Sequence, residues 1–298
     1  MIYEDGIDLI GNTPMISLNK IGYPNVYVKL EKYNPGGSIK DRIAISMIEG
    51  AESKGILNKD SILVEASSGN TGIGIAMAGM LKGYKVIVIM PETMSIERRQ
   101  LVKAFGAELI LTEGSKGMNG SIEKLKELLK NNKNYVNLGQ FENGDNPKVH
   151  YNKTGPEITK EVNDVDIFIA GIGSGGTLSG VGKYLKGINA DTKIIGIEPA
   201  SSPLITEHKS GSHKIQGIGA NFIPKNYDDT VVDKVITITD EDSFEMVRVL
   251  ARKLGILVGI SSGANVFGAI SLSKKYPDKK IVTIAPDGVD KYMSMGIF

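Results

Sequence analysis

The sequence predicts an α/β protein in which mainly parallel sheets are covered by helices on both faces. Short, almost continuously apolar segments such as SILVEA, KVIVIM and KIIGIEP have the length and composition of buried strands. Segments with the apolar periodicity of helices separate them along most of the 298 residues. Strands that alternate with helices in this way pair in parallel, because each helix carries the chain back along a sheet face.

The elements follow one another in a regular order. NVYVKLE alternates with period two and is the first predicted strand. The helix SIKDRIAISMIEGAE follows it, with Ile39, Ile43, Met47 and Ile48 on one face. The other predicted elements, in chain order, are strand SILVEA, helix GIGIAMAGMLKG, strand KVIVIM, helix SIERRQLVKAFG, strand AELILT, helix SIEKLKELLKNN, strand DIFIAGI, helix TLSGVGKYLKG, strand KIIGIEP, helix SFEMVRVLARKLG, strand ILVGI, helix NVFGAISLSKKY and strand KKIVTIAP.

Composition excludes several classes of function. Lys and Arg total 35 against 34 for Asp and Glu, so no net charge favours nucleic acid or an anionic membrane. No apolar run reaches the roughly 18 residues of a membrane span, and the acidic start MIYEDGIDLI is unlike a signal peptide. Without cysteine there is no disulfide or thiolate, and three scattered histidines predict no metal site. We expect a cytoplasmic protein.

Three predicted strands run into small-residue loops that open a helix, at SSGNTG, GSGG and SSGA. Such loops lie beyond the carboxyl ends of strands, where open α/β sheets bind ligands, and helix N-termini favour anions. GIGSGG also matches the G-x-G-x-x-G pattern, with Glu198 at the end of the next strand, which favours a dinucleotide site as an alternative. Pro199 follows immediately and the match lies in mid-chain, so this alternative is the weaker one.

The stretch NPGGSIKDR places Lys40 in the first turn of a helix. Ser38 is the predicted N-cap, and Asp41, three residues later, forms an imperfect capping box. The helix dipole disfavours a protonated amine at this end, so the free amine is favoured. An activated lysine and a glycine-rich anion cradle together point to a carbonyl cofactor with a phosphate, and pyridoxal phosphate has both.

The sequence resembles the cysteine synthase (O-acetylserine sulfhydrylase) and cystathionine β-synthase family, whose members are fold-type II pyridoxal-phosphate enzymes. The resemblance covers essentially the whole chain in family order. It rests on IGNTPMISL, KLEKYNPGGSIKDR, EASSGNTGIGIA, KGMNGSI, QFENGDNPKVHYNKTGPEI, GIGSGGTLSG, IQGIGANFIP, VGISSGA and PDGVDKYM.

The resemblance implies two three-layer α/β/α subdomains, as in the tryptophan-synthase β fold, with the cofactor in the cleft between them. Residues 35–146 would form a mobile N-terminal subdomain, and 1–34 with 147–298 a larger one. A homodimer is implied. Because the chain stops soon after PDGVDKYM, no C-terminal regulatory domain is expected.

The resemblance also implies the site residues. Lys40 would bind the cofactor as a Schiff base, Asn70 would contact its 3′-oxygen, and Ser261 would face its ring nitrogen. The loop Gly173, Ser174, Gly175, Gly176 and Thr177 would bind the phosphate. The amino-acid substrate would be bound by Ser67, Ser68, Gly69, Thr71 and Gln140, with Gly217 and Asn221 nearby.

The implied reaction is a β-replacement through an α-aminoacrylate, with Lys40 moving the Cα proton. A hydroxyl at the ring nitrogen keeps the ring neutral, which favours elimination of the β-substituent over transamination. O-acetylserine and sulfide would then give cysteine and acetate. Ser67 replaces the usual threonine, and Asn221 stands where sulfhydrylases have glycine.

Asn221 therefore leaves alternatives open. One is a turn residue with positive φ. The others are different substrates: a cystathionine-type condensation, or consumption of cysteine with release of sulfide and formation of serine or lanthionine.

Overall fold

A computed structural model describes residues 2–298, and its strands form two sheets. The central strands of each sheet are almost continuously apolar because helices cover both of their faces. The edge strands are half-exposed because they are not covered in this way. The strands are β1 (Met15–Leu18), β2 (Tyr23–Leu30), β3 (Ile62–Ala66), β4 (Lys85–Pro91), β5 (Glu108–Thr112), β6 (Tyr135–Val136), β7 (Ile167–Gly171), β8 (Lys193–Pro199), β9 (Lys234–Ile238) and β10 (Ile281–Ala285).

The helices connect the strands and cover the sheets. Two π-helical segments, His150–Thr154 and Leu250–Leu254, continue neighbouring α-helices. Within the described residues, no helix is both long and apolar enough to cross a membrane. The α-helices are α1 (Lys40–Ser53), α2 (Asn70–Leu81), α3 (Ile96–Ala104), α4 (Gly117–Asn131), α5 (Asp145–Val149), α6 (Gly155–Glu161), α7 (Gly176–Ile188), α8 (Leu204–Glu207), α9 (Asp240–Val249) and α10 (Ile260–Lys275).

Contacts divide the chain into two compact units. The first unit comprises Met1–Ile10 and Asn34–Asp145, and the second comprises Gly11–Tyr33 and Asn146–Phe298. Residues 2–10 belong to the first, smaller unit, whereas the family resemblance implies that residues 1–34 belong to the larger one. Gly6, for example, lies against Leu81 and Pro35 of the first unit.

The first unit is built on a parallel sheet with the strand order β5-β4-β3-β6. Its core on one face is formed by Val64, Ile87 and Ile89, against which Leu125 and Leu128 of α4 pack. Helices α1 and α2 pack against each other, and α2 also contacts β3 and β4. The buried strand β3 leads directly into the SSGNT loop, so the sheet fixes where that loop starts.

The second unit is built on a six-stranded sheet with the order β1-β2-β10-β7-β8-β9. Only β1 and β2 pair antiparallel, and the other neighbours are parallel. The predicted α/β fold with mainly parallel sheets is therefore confirmed in both units.

One predicted strand is wrong. ILVGI, residues 256–260, is not a strand: 256–259 have no regular structure and Ile260 already begins α10. Val258 and Ile260 are fully buried all the same, so the apolar run reflects burial without strand pairing. The structure also contains β1, β6 and β9, which the sequence analysis did not predict.

Candidate active site

Lys40 is the first residue of α1, directly after a glycine turn. Gly37 has φ of 78° and its N–H donates to the Asn34 carbonyl over 2.8 Å, which closes the turn. The N–H of Lys40 donates to Ser38 Oγ over 3.2 Å. The hydroxyl of Ser38 thus satisfies one of the N–H groups that a helix start leaves open.

The predicted N-cap, Ser38, lies one residue before the observed one. The helix starts later than expected, because Ile39 occupies the N-cap position with helical φ and ψ. The Asp41 carboxylate accepts from the N–H of Gly36 over 2.7 Å, and a Cβ on Gly36 would lie 2.6 Å from Asp41 Oδ1. Asp41 therefore fixes the glycine turn that precedes Lys40.

Helix α2 approaches Lys40 closely. A Cβ on Gly74 would lie 3.0 Å from the Lys40 carbonyl oxygen, so a glycine is needed where the two backbones meet. Asn70 is the first residue of α2, and the loop before it is Ser67, Ser68 and Gly69. The backbone of Lys40 therefore lies against the helix that follows the predicted substrate loop.

The substrate loop is closed by its own hydroxyls. The Oγ of Ser67 accepts from the N–H of Gly72 over 3.1 Å. Thr71 Oγ1 donates to Gln140 Oε1 over 2.6 Å, and Gln140 is 7% exposed. The predicted residues Ser67, Thr71 and Gln140 thus lie in one cluster. Behind it, burial raises the pKa of Glu65 to about 8, a residue the sequence analysis did not single out.

The predicted phosphate loop lies at the start of α7. Gly175 is its N-cap with φ of 82°, a conformation that glycine adopts without strain. In the part of the chain that the structure describes, the N–H groups of Ser174, Gly176 and Thr177 donate to no protein acceptor. Open N–H groups and the positive end of a helix dipole are features that favour an anion.

Two residues without a predicted role hold the hydroxyls of this loop. Asn146 Nδ2 donates to Ser174 Oγ over 2.9 Å, and His150 Nε2 lies 3.2 Å from Thr177 Oγ1. Both are fully buried, on one continuous helical run that begins with α5. Their spacing of four residues puts them on the same helix face, which is a signal available in NPKVH.

Gly217 and Ser261 lie beside the phosphate loop in the second unit. A Cβ on Gly173 would lie 2.4 Å from the Gly217 carbonyl oxygen, so these loops touch through their backbones. Gly217 has φ of 97°, and Ser261 Oγ is 3.6 Å from where its Cβ would be. Ser261 is 3% exposed and belongs to the first turn of α10, not to a loop as its SSGA motif predicted.

Asn221 is exposed, three residues before the buried Pro224. Outside glycine, the described residues with positive φ are Asn12, Asp164 and His208. The interpretation of Asn221 as a positive-φ turn residue is therefore wrong.

Glu198, the ribose-binding residue of the dinucleotide alternative, has other partners. Its carboxylate accepts from the N–H groups of Ile205 and Thr206 over 2.8 and 3.0 Å. Thr206 Oγ1 also donates to it over 2.5 Å. Glu198 therefore caps the short helix α8.

Comparison with known proteins extends over the whole chain. The family model "Pyridoxal-phosphate dependent enzyme" matches residues 7–287. Cysteine synthase B of Campylobacter jejuni is 48% identical over 298 residues, which span 100% of this chain and 99% of the relative. Cysteine synthase A of Escherichia coli K12 is 48% identical over 309 residues, spanning 100% and 96%.

Among solved structures, a hydrogen sulfide-producing enzyme of Fusobacterium nucleatum matches with a TM-score of 0.93 and 49% identity. The match covers 98% of this chain and 100% of that one. Relatives of nearly equal identity thus carry names for the synthesis of cysteine and for the production of hydrogen sulfide.

Proposed function

Since this chain belongs to the family of pyridoxal-phosphate dependent enzymes, we propose that it is a cysteine synthase. Its reaction would replace the acetate of O-acetyl-L-serine by sulfide and give L-cysteine. The observation that carries this proposal is the 48% identity, over the full chain, to two cysteine synthases. The dinucleotide alternative lacks comparable support, because Glu198 is engaged as a helix cap.

The residues present fit pyridoxal phosphate. The start of α7 offers open backbone N–H groups and the hydroxyls of Ser174 and Thr177, which suit a phosphate without a cationic side chain. The Ser261 hydroxyl is buried beside Gly217 and would face the ring nitrogen. Asn70, at the start of α2, would contact the 3′-oxygen.

Lys40 is the residue proposed to hold the cofactor covalently and to move the proton. When bound, pyridoxal phosphate supplies a carbonyl carbon that condenses with amines and a ring that withdraws electrons from the substrate Cα. With the cofactor bound, the Lys40 amine would remove the Cα proton of the substrate as general base.

The substrate carboxylate is assigned to the first unit. Ser67, Ser68, Gly69 and Thr71 lie at the start of α2, where open N–H groups and the helix dipole favour an anion. Gln140 accepts from Thr71 through Oε1, so its side chain lies against the loop proposed to bind the carboxylate. A carboxylate held on this side places Cα near Lys40, because α2 contacts the Lys40 backbone at Gly74.

The second candidate function is release of sulfide from cysteine, with water or a thiol entering at Cβ. The observation that favours it is the 49% identity to a hydrogen sulfide-producing enzyme over 98% of this chain. A cystathionine-type condensation is the third variant of the same chemistry. Asn221, beside Gly217 in the sequence and exposed, is the residue proposed to distinguish these nucleophiles and leaving groups.

The experiment that tests the proposal presents O-acetylserine, serine and cysteine separately, each with and without sulfide or homocysteine. Purified protein should be yellow, and cysteine should form fastest from O-acetylserine and sulfide. Rapid sulfide release from cysteine with poor use of O-acetylserine would replace the first function by the second. A colourless protein that binds a nicotinamide dinucleotide would overturn the cofactor.

Two features remain family-based proposals: a homodimer and a location in the cytoplasm. Light scattering after size-exclusion chromatography tests the first, and a tagged protein followed by cell fractionation tests the second.

A further inference from the structure

One side-chain amide ties together two strand ends of the first unit. Asn137 follows β6 directly, and its Nδ2 donates to the Val64 carbonyl over 2.9 Å and to Glu65 Oε2 over 2.8 Å. Val64 and Glu65 belong to the carboxyl end of β3, which pairs with β6 for only two residues. The amide of Asn137 therefore extends a short strand pairing up to the point where both chains leave the sheet.

The proposed carboxylate-binding residues follow Glu65 and Asn137 in the two chain segments that this amide joins. Ser67 comes two residues after Glu65, and Gln140 comes three residues after Asn137. The two segments meet again where Thr71 Oγ1 donates to Gln140 Oε1 over 2.6 Å. Segments 65–71 and 137–140 are thus joined by side-chain hydrogen bonds at both ends. Asn137 donates to Glu65 at one end, and Thr71 donates to Gln140 at the other.

We propose that Glu65 and Asn137 are positioning residues, which hold Gln140 against the Ser67–Thr71 loop and thereby set the affinity of the site for the substrate carboxylate. The inference rests on the proposed function, because it assigns the carboxylate to this loop. Neither residue would touch the substrate, so their loss is expected to weaken binding more than the chemical step.

The neutral form of Glu65 suits this role. Burial raises its pKa to about 8, and the hydrogen bond from Asn137 only partly opposes this. Ionisation would place a negative charge beside a loop that has to accept a carboxylate, which would weaken substrate binding.

No charge on the elements packed around β3 compensates for an ionised Glu65. Helix α2 has no charged residue, β6 has only Tyr135 as a titratable group, and β4 carries only Lys85, exposed at its start. Helix α4 does carry charges, but it packs through Leu125 and Leu128 on the opposite face, against Val64. Burial therefore favours the neutral carboxyl group of Glu65, and this group ionises as the pH rises through its pKa of about 8.

The test compares Glu65→Ala, Glu65→Gln and Asn137→Ala in the holoenzyme. The alanine variants should raise KM for O-acetylserine about tenfold and change kcat by less than about threefold. Glu65→Gln keeps an acceptor for Asn137 and no charge, so its KM at pH 7 should match the wild type. Between pH 7 and 9, the ratio of wild-type KM to that of Glu65→Gln should rise about threefold or more, since only the wild type ionises.

Asn134→Ala is the matched control, because Asn134 Nδ2 donates to the Asp60 carbonyl over 3.1 Å at the other end of the same strand pair. It should leave KM unchanged. Hydrogen exchange of the cofactor-free protein gives a readout without turnover. Exchange should rise at 66–72 and 137–142 in Glu65→Ala and Asn137→Ala, and remain unchanged there in Asn134→Ala.

L-alanine, which has no β-leaving group, separates this inference from the proposed reaction. The Kd for L-alanine should increase about tenfold in Asn137→Ala even if the wild type turned over none of the substrates. Unchanged KM and Kd in both alanine variants, or superimposable pH profiles of the wild type and Glu65→Gln, would overturn the inference.

Discussion

The imidazole of His150 is held between two threonine hydroxyls. Its Nε2 lies 3.2 Å from Thr177 Oγ1, and its Nδ1 lies 3.0 Å from Thr154 Oγ1. The ring is 1% exposed, so neither contact competes with solvent. A hydroxyl fixed from behind in this way can direct its remaining hydrogen-bonding capacity toward a phosphate.

His150→Ala is therefore expected to weaken binding of pyridoxal phosphate about tenfold, because Thr177 loses a buried partner. Binding of pyridoxal, which has no phosphate, should change by less than about twofold. Reconstitution of the cofactor-free protein, followed by absorbance, measures both affinities. His208→Ala, an exposed histidine, is the control. Equal weakening for both cofactor forms would contradict a role at the phosphate.

Lys40→Ala is expected to remove the covalent attachment of the cofactor and to lower kcat by about a thousandfold or more. Borohydride reduction followed by peptide mapping should label Lys40 in the wild type and no lysine in the variant. The exposed Lys59 provides the control substitution, Lys59→Ala. Reduction that labels a different lysine would show that Lys40 is misassigned.

Gly74→Ala tests the close contact between α2 and Lys40. The new Cβ would lie 3.0 Å from the Lys40 carbonyl oxygen, so one of the two helices has to shift. We expect kcat to fall about tenfold, since Lys40 moves with its helix. Gly187→Ala, a helical position with nothing within 4 Å of the new Cβ, should keep its activity and gain up to about 1 kcal/mol of stability. Equal activity of the two variants would contradict the prediction.

Asn221→Gly tests the proposed specificity residue. Restoring the glycine of sulfhydrylases should raise the ratio of kcat/KM for O-acetylserine to that for cysteine by about tenfold. The exposed neighbour Phe222 is close in sequence, so Phe222→Leu is the control for a general disturbance of the loop. Parallel assays with both substrates measure the ratio. If it stays constant, Asn221 does not decide between them.

Glu65 makes stability depend on pH. Its pKa is about 8 in the folded protein against the ordinary 4.5, so the folded state retains a proton that the unfolded chain releases. The free energy of unfolding should therefore fall as pH rises from about 4.5 to about 8 and level off above, once the folded carboxyl has ionised as well. Urea unfolding of the cofactor-free protein at pH 6, 7, 8 and 9 measures this.

Glu65→Gln isolates the contribution of that one carboxyl. The difference in unfolding free energy between Glu65→Gln and the wild type should grow in favour of the variant between pH 6 and pH 8. A difference that stays constant with pH would contradict the raised pKa.

The sequence predicts the central elements because their apolar content follows from burial. Every residue of β10 is buried, as are most of β4 and β8, and all three were predicted. Strand β9 lies at the sheet edge with half-exposed residues, and β6 pairs over two residues, so neither shows the apolar run of a central strand. ILVGI shows the opposite error, since the same apolar pattern arises where a buried segment has no pairing partner.

Some residues of the candidate site can be predicted from the sequence, and others are found only in the structure. Loops such as 173–177 are visible in the sequence because close backbone approach requires glycine. Asn146, His150 and Glu65 contact residues distant in the chain. The spacing in NPKVH places Asn146 and His150 on one helix face, but it does not identify the residues that they contact. Glu65 in particular is an acidic residue in an apolar strand, and its raised pKa follows from its burial in the structure.

Strand β2 has a consequence for the order of folding during synthesis. Its parallel partner β10 is synthesised about 250 residues after it, with Val26 opposite Ile281. The smaller sheet, by contrast, takes its strands from residues 62–136. The smaller sheet can therefore form before β10, a central strand of the larger sheet, has been synthesised. During translation, one edge of β2 lacks its parallel partner until β10 is made, and an unpaired strand edge can pair with other chains.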